Sequence, residues 1–271
     1  MHEIPVNEHY IDESELDELA GMFANAETGA ASVHAWLHNL QTQGITHLRR
    51  QLHSLRDDFD HYKSIIDRLG LPLLQTKRAF MWNEPRPRVI VPDRLVYRSY
   101  VEVGHEVFFD TVLKAHQHTL DRSVRSALID LDHWGIGHEV WMQSEFDDAT
   151  EYFIQQPEWW QVAYTQTGTL VGYVQPVLFP NSEQDRDGQR VSEATLYYIG
   201  VLPEARGNGY VDDLLLKSIA ILQEVGIWRL YSDTDSENFP MIRAFERAGF
   251  EEDGLYYIWG GELKPLIETY K

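Results

Sequence analysis

The chain has 271 residues, 43% of them hydrophobic and only 18 of them glycine, which suits an ordered globular protein of one large or two small domains. Lys plus Arg number 23 against 43 Asp plus Glu, and the formal charge of −20 disfavours nucleic acid and anionic membrane surfaces and favours cationic partners. Having no cysteine, the chain can form no disulfide, thiolate nucleophile or Cys-ligated metal site, and its acidic start and lack of a long apolar run predict a soluble cytoplasmic protein.

Taken in order, residues 1–86 read as a helical N-terminal region. Ser14 precedes Leu16, Leu19, Met22 and Phe23 at helical spacing, and a second helix is expected over Ala31–Leu40. A third is expected from Ile45 to Leu69 on Leu48, Leu52, Leu55, Phe59, Tyr62, Ile65 and Ile66, stopped by Gly70. His34 and His38 lie one helical turn apart without a third ligand and read as structural. Leu71–Trp82 is a candidate strand, and Pro85 and Pro87 mark a joint before a second domain, residues 87–271.

In that second domain Leu95–Val101 alternates as a strand, and Gly104 precedes a helix on Val107, Phe108, Val112 and Ala115. Asp121 can cap a helix containing Val124, Leu128 and Leu131, and Ser144–Ile154 reads as a short helix. His133 and His138, beside Asp130, Asp132 and Glu139, have poor metal spacing; a solvated helix end is the preferred reading, and no metal is expected. Trp159–Thr165 and Thr169–Phe179 are strands joined by a turn at Gln166–Gly168, with Trp159 and Trp160 as core. Pro180–Arg190 is a polar loop, and Val191–Val201, Ile227–Asp233 and Leu255–Leu263 are the remaining strands.

The stretch Tyr197–Leu216 organises the rest. A short strand ends at Pro203, Arg206-Gly207-Asn208-Gly209 follows, and Leu214, Leu215, Leu216, Ile219 and Leu222 start a helix. Backbone amides converging on a helix start form an anion site, suited to a pyrophosphate. An ordinary strand-to-helix turn is the alternative. The spacing fits neither a Walker loop, which needs Gly-Lys-Ser/Thr, nor a dinucleotide fingerprint, which needs a third glycine. A second block, Asp233 to Phe250, contains Asn238, Pro240, Phe245 and Gly249. Pro240 suits a first helical turn and Gly249 the position after the helix.

These two blocks, in this order, resemble the GNAT acetyltransferase superfamily over residues 88–263. The resemblance implies an α/β fold with a mixed, mostly antiparallel central sheet flanked by helices, and acetyl-CoA as acetyl donor. It implies that backbone groups of Ile199, Gly200 and Val201 pair with the pantetheine arm where two strands splay. It also implies that amides of Arg206, Gly207, Asn208, Gly209, Tyr210 and Val211 hold the pyrophosphate. Val211 departs from the small residue usual there, and its side chain could restrict phosphate approach. Asn238 has two roles open to it, capping its helix or contacting the cofactor. The run Leu69–Trp82 resembles the family's fourth helix and sixth strand, so a degenerate tandem half stands beside the preferred reading of a plain helical cap.

Acetyl transfer to an amine needs a neutral nucleophile, and a free alkyl amine has a pKa of about 10.4, so a base matters more than an acid. The family's carboxylate falls nearest Glu193, two residues ahead of the usual position, which Thr195 occupies, but on the same strand face. An ordinary exposed Glu is the alternative, and Tyr197 or Tyr198 could bind a relay water instead. The family's usual tyrosine acid falls at Phe245, which cannot donate a proton; Tyr256 and Tyr257 alternate on their strand, so only one could serve. The expected function is acetyl transfer to a primary amine of a small, cationic acceptor by direct attack. A non-catalytic acyl-CoA-binding module is the alternative. Neither nucleic acid nor membrane is an expected partner, and a homodimer is compatible with either reading.

Overall fold

The computed structural model of the protein describes residues 7–122, 154–179, 184–186 and 189–271. The chain forms two compact units, Met1–Lys77 with Gly254–Lys271, and Arg78–Asp253. The expected helices around Asp121–Leu131 and Ser144–Ile154, and the His133–His138 cluster, fall outside the described residues apart from their edges.

The first unit begins with β1 (Glu8–Tyr10), α1 (Glu13–Ala24), α2 (Gly29–Thr42), β2 (His47–His53), α3 (Phe59–Leu69) and the start of β3 (Leu73–Trp82). Asp12 starts α1 with a capping box: its carboxylate accepts from the Glu15 amide at 2.9 Å, and Glu15 reaches back to the Asp12 amide. Strand β1 runs parallel to β2, with Glu8 opposite His47. Leu16, Leu19, Val33, Leu37, Leu48, Leu52 and Ile66 fill its core.

The single helix expected over Ile45–Leu69 is a strand followed by a shorter helix. Leu48 and Leu52 are four apart, a spacing that one helix face and one strand face share. The residue between them decides the matter. Arg50 is buried on the same face, where its Nη1 donates to the Ile11 carbonyl at 2.8 Å, completing the alternation of a strand. Gly70 ends α3 with φ 82°, as the sequence predicts.

The second unit contains β4 (Leu95–Ser99), α4 (Tyr100–His116), β5 (Gln161–Thr165), β6 (Leu170–Leu178), a small hairpin of β7 (Gln184–Arg186) and β8 (Gln189–Val191), and β9 (Glu193–Val201). A 3-10 turn at Pro203–Ala205 leads to α5 (Tyr210–Glu224), β10 (Arg229–Asp235) and α6 (Phe239–Arg247). The chain then enters β11 (Glu251–Glu262) and ends with α7 (Leu263–Thr269). In the first unit β11 lies antiparallel to β2, Tyr256 opposite His53 and Glu262 opposite His47.

The sheet of the second unit is mixed and largely antiparallel, in the order β4-β5-β6-β9-β10, with β9 and β10 parallel. The expected strand Leu95–Val101 stops at Ser99, because Ser99 and Glu102 form a capping box that starts α4 at Tyr100. Gly104 adopts φ 79°, ψ 166° and kinks that helix. The expected joint at Pro85 and Pro87 packs within this unit: Gln223 of α5 accepts from the Val89 amide at 2.9 Å and donates to the Pro87 carbonyl at 3.2 Å.

Candidate active site

The site grows from a defect in the β9–β10 ladder. Their parallel register comprises Glu193 with Arg229, Ala194 with Leu230, and Thr195 with Tyr231, and then stops. Strand β9 bulges immediately afterwards. Gln175 of β6 faces both Tyr197 and Tyr198, and Tyr197 has φ 39°, a left-handed conformation uncommon for a bulky residue. The Thr195 hydroxyl holds the bulge by accepting from the Tyr197 amide at 3.2 Å. Beyond it, Ile199, Gly200 and Val201 stay paired to β6 through Val174, Tyr173 and Gly172. Among the described residues their other edge has no ladder to β10.

The loop after β9 keeps its amides available. Arg206 is committed to structure. Its guanidinium donates to the carbonyls of Val201, Ala115, Gln117 and His118 at 2.8–3.1 Å, tying the loop to the end of α4. Its own amide donates to the Pro203 carbonyl at 3.3 Å, so it is less available than the amides that follow. The Asn208 side chain donates to the carbonyls of Ala205 and Arg206. Gly207 and Gly209 take φ 82° and 73°, which glycine adopts without a Cβ penalty. Among the described residues the amides of Gly207, Asn208, Gly209, Tyr210 and Val211 meet no acceptor, as expected where a loop enters a helix. Val211 packs against the core cluster of Leu215, Ile219 and Ile242. Tyr210 lies under the Arg94 guanidinium, 4.9 Å from its ring centre.

The other predicted residues divide. Glu193 sits at the closed end of the ladder, its carboxylate 2.9 Å from Arg229 Nε, with both side chains 15% exposed. Burial raises its pKa above the ordinary glutamate value, the Arg229 guanidinium opposes that shift, and Asp253 adds to it. It is therefore several residues along β9 from Ile199, at about 3.3 Å per residue. Asn238 starts α6, but its side chain makes no cap bond; Nδ2 donates to the Thr234 hydroxyl at 3.0 Å. Phe245 is core, 5.0 Å from Phe80 and 5.2 Å from Phe250 between ring centres. Tyr256 packs against His53 and Tyr257 against Phe59, each with rings tilted by 42–48°, so both pack within the first unit.

Three residues beside the site were not singled out from the sequence. Asp233 follows Tyr231 on β10, just past the last paired residue, where the Tyr231 hydroxyl donates to its carboxylate at 3.3 Å. Alternation puts it on the face of β10 that carries Arg229 and Tyr231. His116 ends α4 buried, its Nε2 2.8 Å from the Tyr173 hydroxyl and its ring edge-on to Tyr198. Arg94, just before β4, reaches the amide loop and donates to the Asn208 carbonyl at 2.8 Å. No short-range motif marks any of them, since each owes its position to sheet register or loop packing. Among the described residues no group of three His, Asp or Glu could hold a metal.

Residues 127–250 match the acetyltransferase (GNAT) family model. A mycothiol acetyltransferase from Pseudarthrobacter chlorophenolicus is 32% identical over 75 residues, covering 28% of this chain and 23% of that protein. Another from Saccharomonospora viridis is 27% identical over 125 residues, covering 44% and 40%. The chain thus spans less than half the length of these curated relatives. Among solved structures, a GCN5-related N-acetyltransferase from Sphaerobacter thermophilus aligns with TM-score 0.52 at 16% identity, covering 80% of this chain and 60% of that one. A tandem GNAT protein from the clavulanic acid biosynthesis pathway aligns with TM-score 0.52 at 15% identity, covering 88% and 71%. No described helix is long and apolar enough to cross a membrane. Residues 127–250 thus resemble the GNAT acetyltransferase family, and the fold is shared with these GNAT-type solved structures.

Proposed function

We propose that the chain transfers an acetyl group from acetyl-CoA to the primary amine of a small, cationic acceptor by direct attack, without a covalent enzyme intermediate. The observation that carries this reading is the row of amides from Gly207 to Val211 at the start of α5, which meet no acceptor among the described residues, next to the strand edge that opens after Thr195. A helix start with converging amides favours an anion, here the pyrophosphate of the donor. Backbone groups of Ile199, Gly200 and Val201 offer the strand edge along which a pantetheine arm could lie. Arg206 serves by fixing the loop through its side chain, and Asn238 by bracing the end of β10 through Thr234. Bound acetyl-CoA supplies the activated acetyl thioester.

The chain must then remove a proton from the acceptor's ammonium group. Glu193 is one carboxylate for that work, its pKa raised by burial toward the range of a useful base. The position of Asp233 favours a second assignment, because it lies where β9 and β10 have parted while Glu193 lies where they are still paired. Phe245 leaves no proton donor at the family's usual place, so the thiolate, with a pKa of roughly 8.5 by analogy to cysteine, leaves with little help. The buried Phe245 also favours the competing reading of a binding module without chemistry. Mixing the protein with acetyl-CoA and amines, and following thiol release with a dye, separates the two. Amine-dependent release supports transfer; binding without release supports the module.

A further inference from the structure

We propose that Arg94 and Asp213 form a charge pair that sets how tightly the loop holds the diphosphate of coenzyme A. This rests on the acetyl-CoA reading above. The first turn of α5 carries two acids, Asp212 and Asp213. Acids there favour the helix but oppose an anion bound to the same amides. Each is met by an arginine from elsewhere in the chain: Arg247 of α6 pairs with Asp212 at 2.7 Å, and Arg94 Nη1 lies 3.2 Å from Asp213 Oδ2.

The Asp213 pair is the one built into the structure. Its side chain is 4% exposed, and Oδ2 accepts no hydrogen bond, so Arg94 is its charge partner. Burial raises the Asp213 carboxyl above its ordinary range, with the Arg94 guanidinium opposing that shift. Arg94 also touches the loop itself, through the Asn208 carbonyl and the Tyr210 ring. Its Nη1 lies 4.0 Å from where a Cβ on Gly209 would stand, and its side chain is 48% exposed. Arg206 is turned instead toward four carbonyls. A cation touching the loop, paired with a buried carboxylate, lets either residue shift the local field without removing an amide.

The test is calorimetric titration of the full chain with coenzyme A, for the parent, Arg94→Gln, Arg94→Lys, Asp213→Asn and the double variant Arg94→Gln/Asp213→Asn. Arg94→Gln is expected to weaken binding about two- to fivefold and Asp213→Asn to tighten it by a similar factor. The double variant should return near the parent, and Arg94→Lys, which keeps the charge, should stay close to it. Inorganic pyrophosphate, used as a competitor, should shift in the same directions. A purely structural role makes both single substitutions weaken binding, and that result, or no change in either, overturns the inference while the parent still binds. A parent that does not bind coenzyme A overturns the acetyl-CoA reading, and this inference with it.

Discussion

Gly200 lies against the ring of Tyr173: a Cβ on Gly200 would stand 2.5 Å from Tyr173 Cε1 and 2.8 Å from Ala115 Cβ. The contact runs both ways across β6 and β9, because a Cβ on Gly172 would stand 2.0 Å from the Gly200 carbonyl oxygen. Tyr173 is fully buried and held through its hydroxyl by His116, so the ring has no easy retreat. Close backbone approach here keeps the open edge of β9 in register just after its bulge. Gly200→Ala is therefore expected to cost about 1–3 kcal/mol of stability by overpacking. Denaturant unfolding measures it, and a Tyr173→Leu background should reduce the cost; equal costs in both backgrounds would place the strain elsewhere.

Arg50 is the matching feature of the first unit. Replacing it with Met removes the charged donor to the buried Ile11 carbonyl and is expected to destabilise by about 1.5–3 kcal/mol. An unfolding midpoint equal to the parent's would show that this bond adds nothing.

Gly209→Val tests the amide loop. Gly209 has φ 73°, which a β-branched residue adopts only with strain, and its Cβ would stand 4.0 Å from Arg94 Nη1 and from Asp212 Oδ2, beside the amide loop. Affinity for acetyl-CoA should fall by an order of magnitude or more in calorimetry, measured below a melting midpoint that the strain lowers but that still leaves the chain folded. Unchanged affinity removes the loop from the site.

The two carboxylates make opposite claims on the rate. If Glu193 is the base, Glu193→Gln lowers the acetylation rate about 10²–10⁴-fold, and the parent's rate climbs with pH through a value above the ordinary glutamate pKa. If Asp233 is the base, Asp233→Asn has that effect and Glu193→Gln alters the rate only a few-fold. Stability gives an independent check on Glu193. A raised folded-state pKa means that its contribution is full below the unfolded value and is lost as pH rises through the folded value. Glu193→Gln should flatten the stability profile in that window.

Ionic strength tests the acceptor. The formal charge of −20 attracts a cationic amine and repels the anionic donor. Acceptor kcat/KM should fall with added salt, while donor Kd stays flat or improves. A preferred acceptor that is neutral or anionic, or a kcat/KM that rises with salt, leaves the charge as a solubility trait.

The loop and α5 were legible in the sequence because Pro203, Gly207 and Gly209 punctuate a strand and a helix with strong periodicity. Gly70 and Gly249 likewise announced the ends of α3 and α6. The strand β2 was not legible, since Leu48 and Leu52 satisfy two periods and only the burial of Arg50 separates them. The start of α4 could have been read from Ser99 and Glu102, whose capping-box spacing stands in the chain. The parting of β9 and β10 is a matter of register between distant segments. Neither Asp233 nor the isolation of Glu193 from Ile199 follows from local pattern. Arg94 reaches its partners across more than a hundred residues, a distance at which spacing carries no information.

The measurement that bears most directly on the account is thiol release from acetyl-CoA by the full chain, with and without a panel of polyamines, aminoglycosides, amino acids and peptides. The account predicts release that depends on an amine, is strongest with a cationic one, and falls in Gly209→Val. Tight acetyl-CoA binding with no release from any amine would contradict catalysis and leave a binding module, and no binding at all would contradict the site itself.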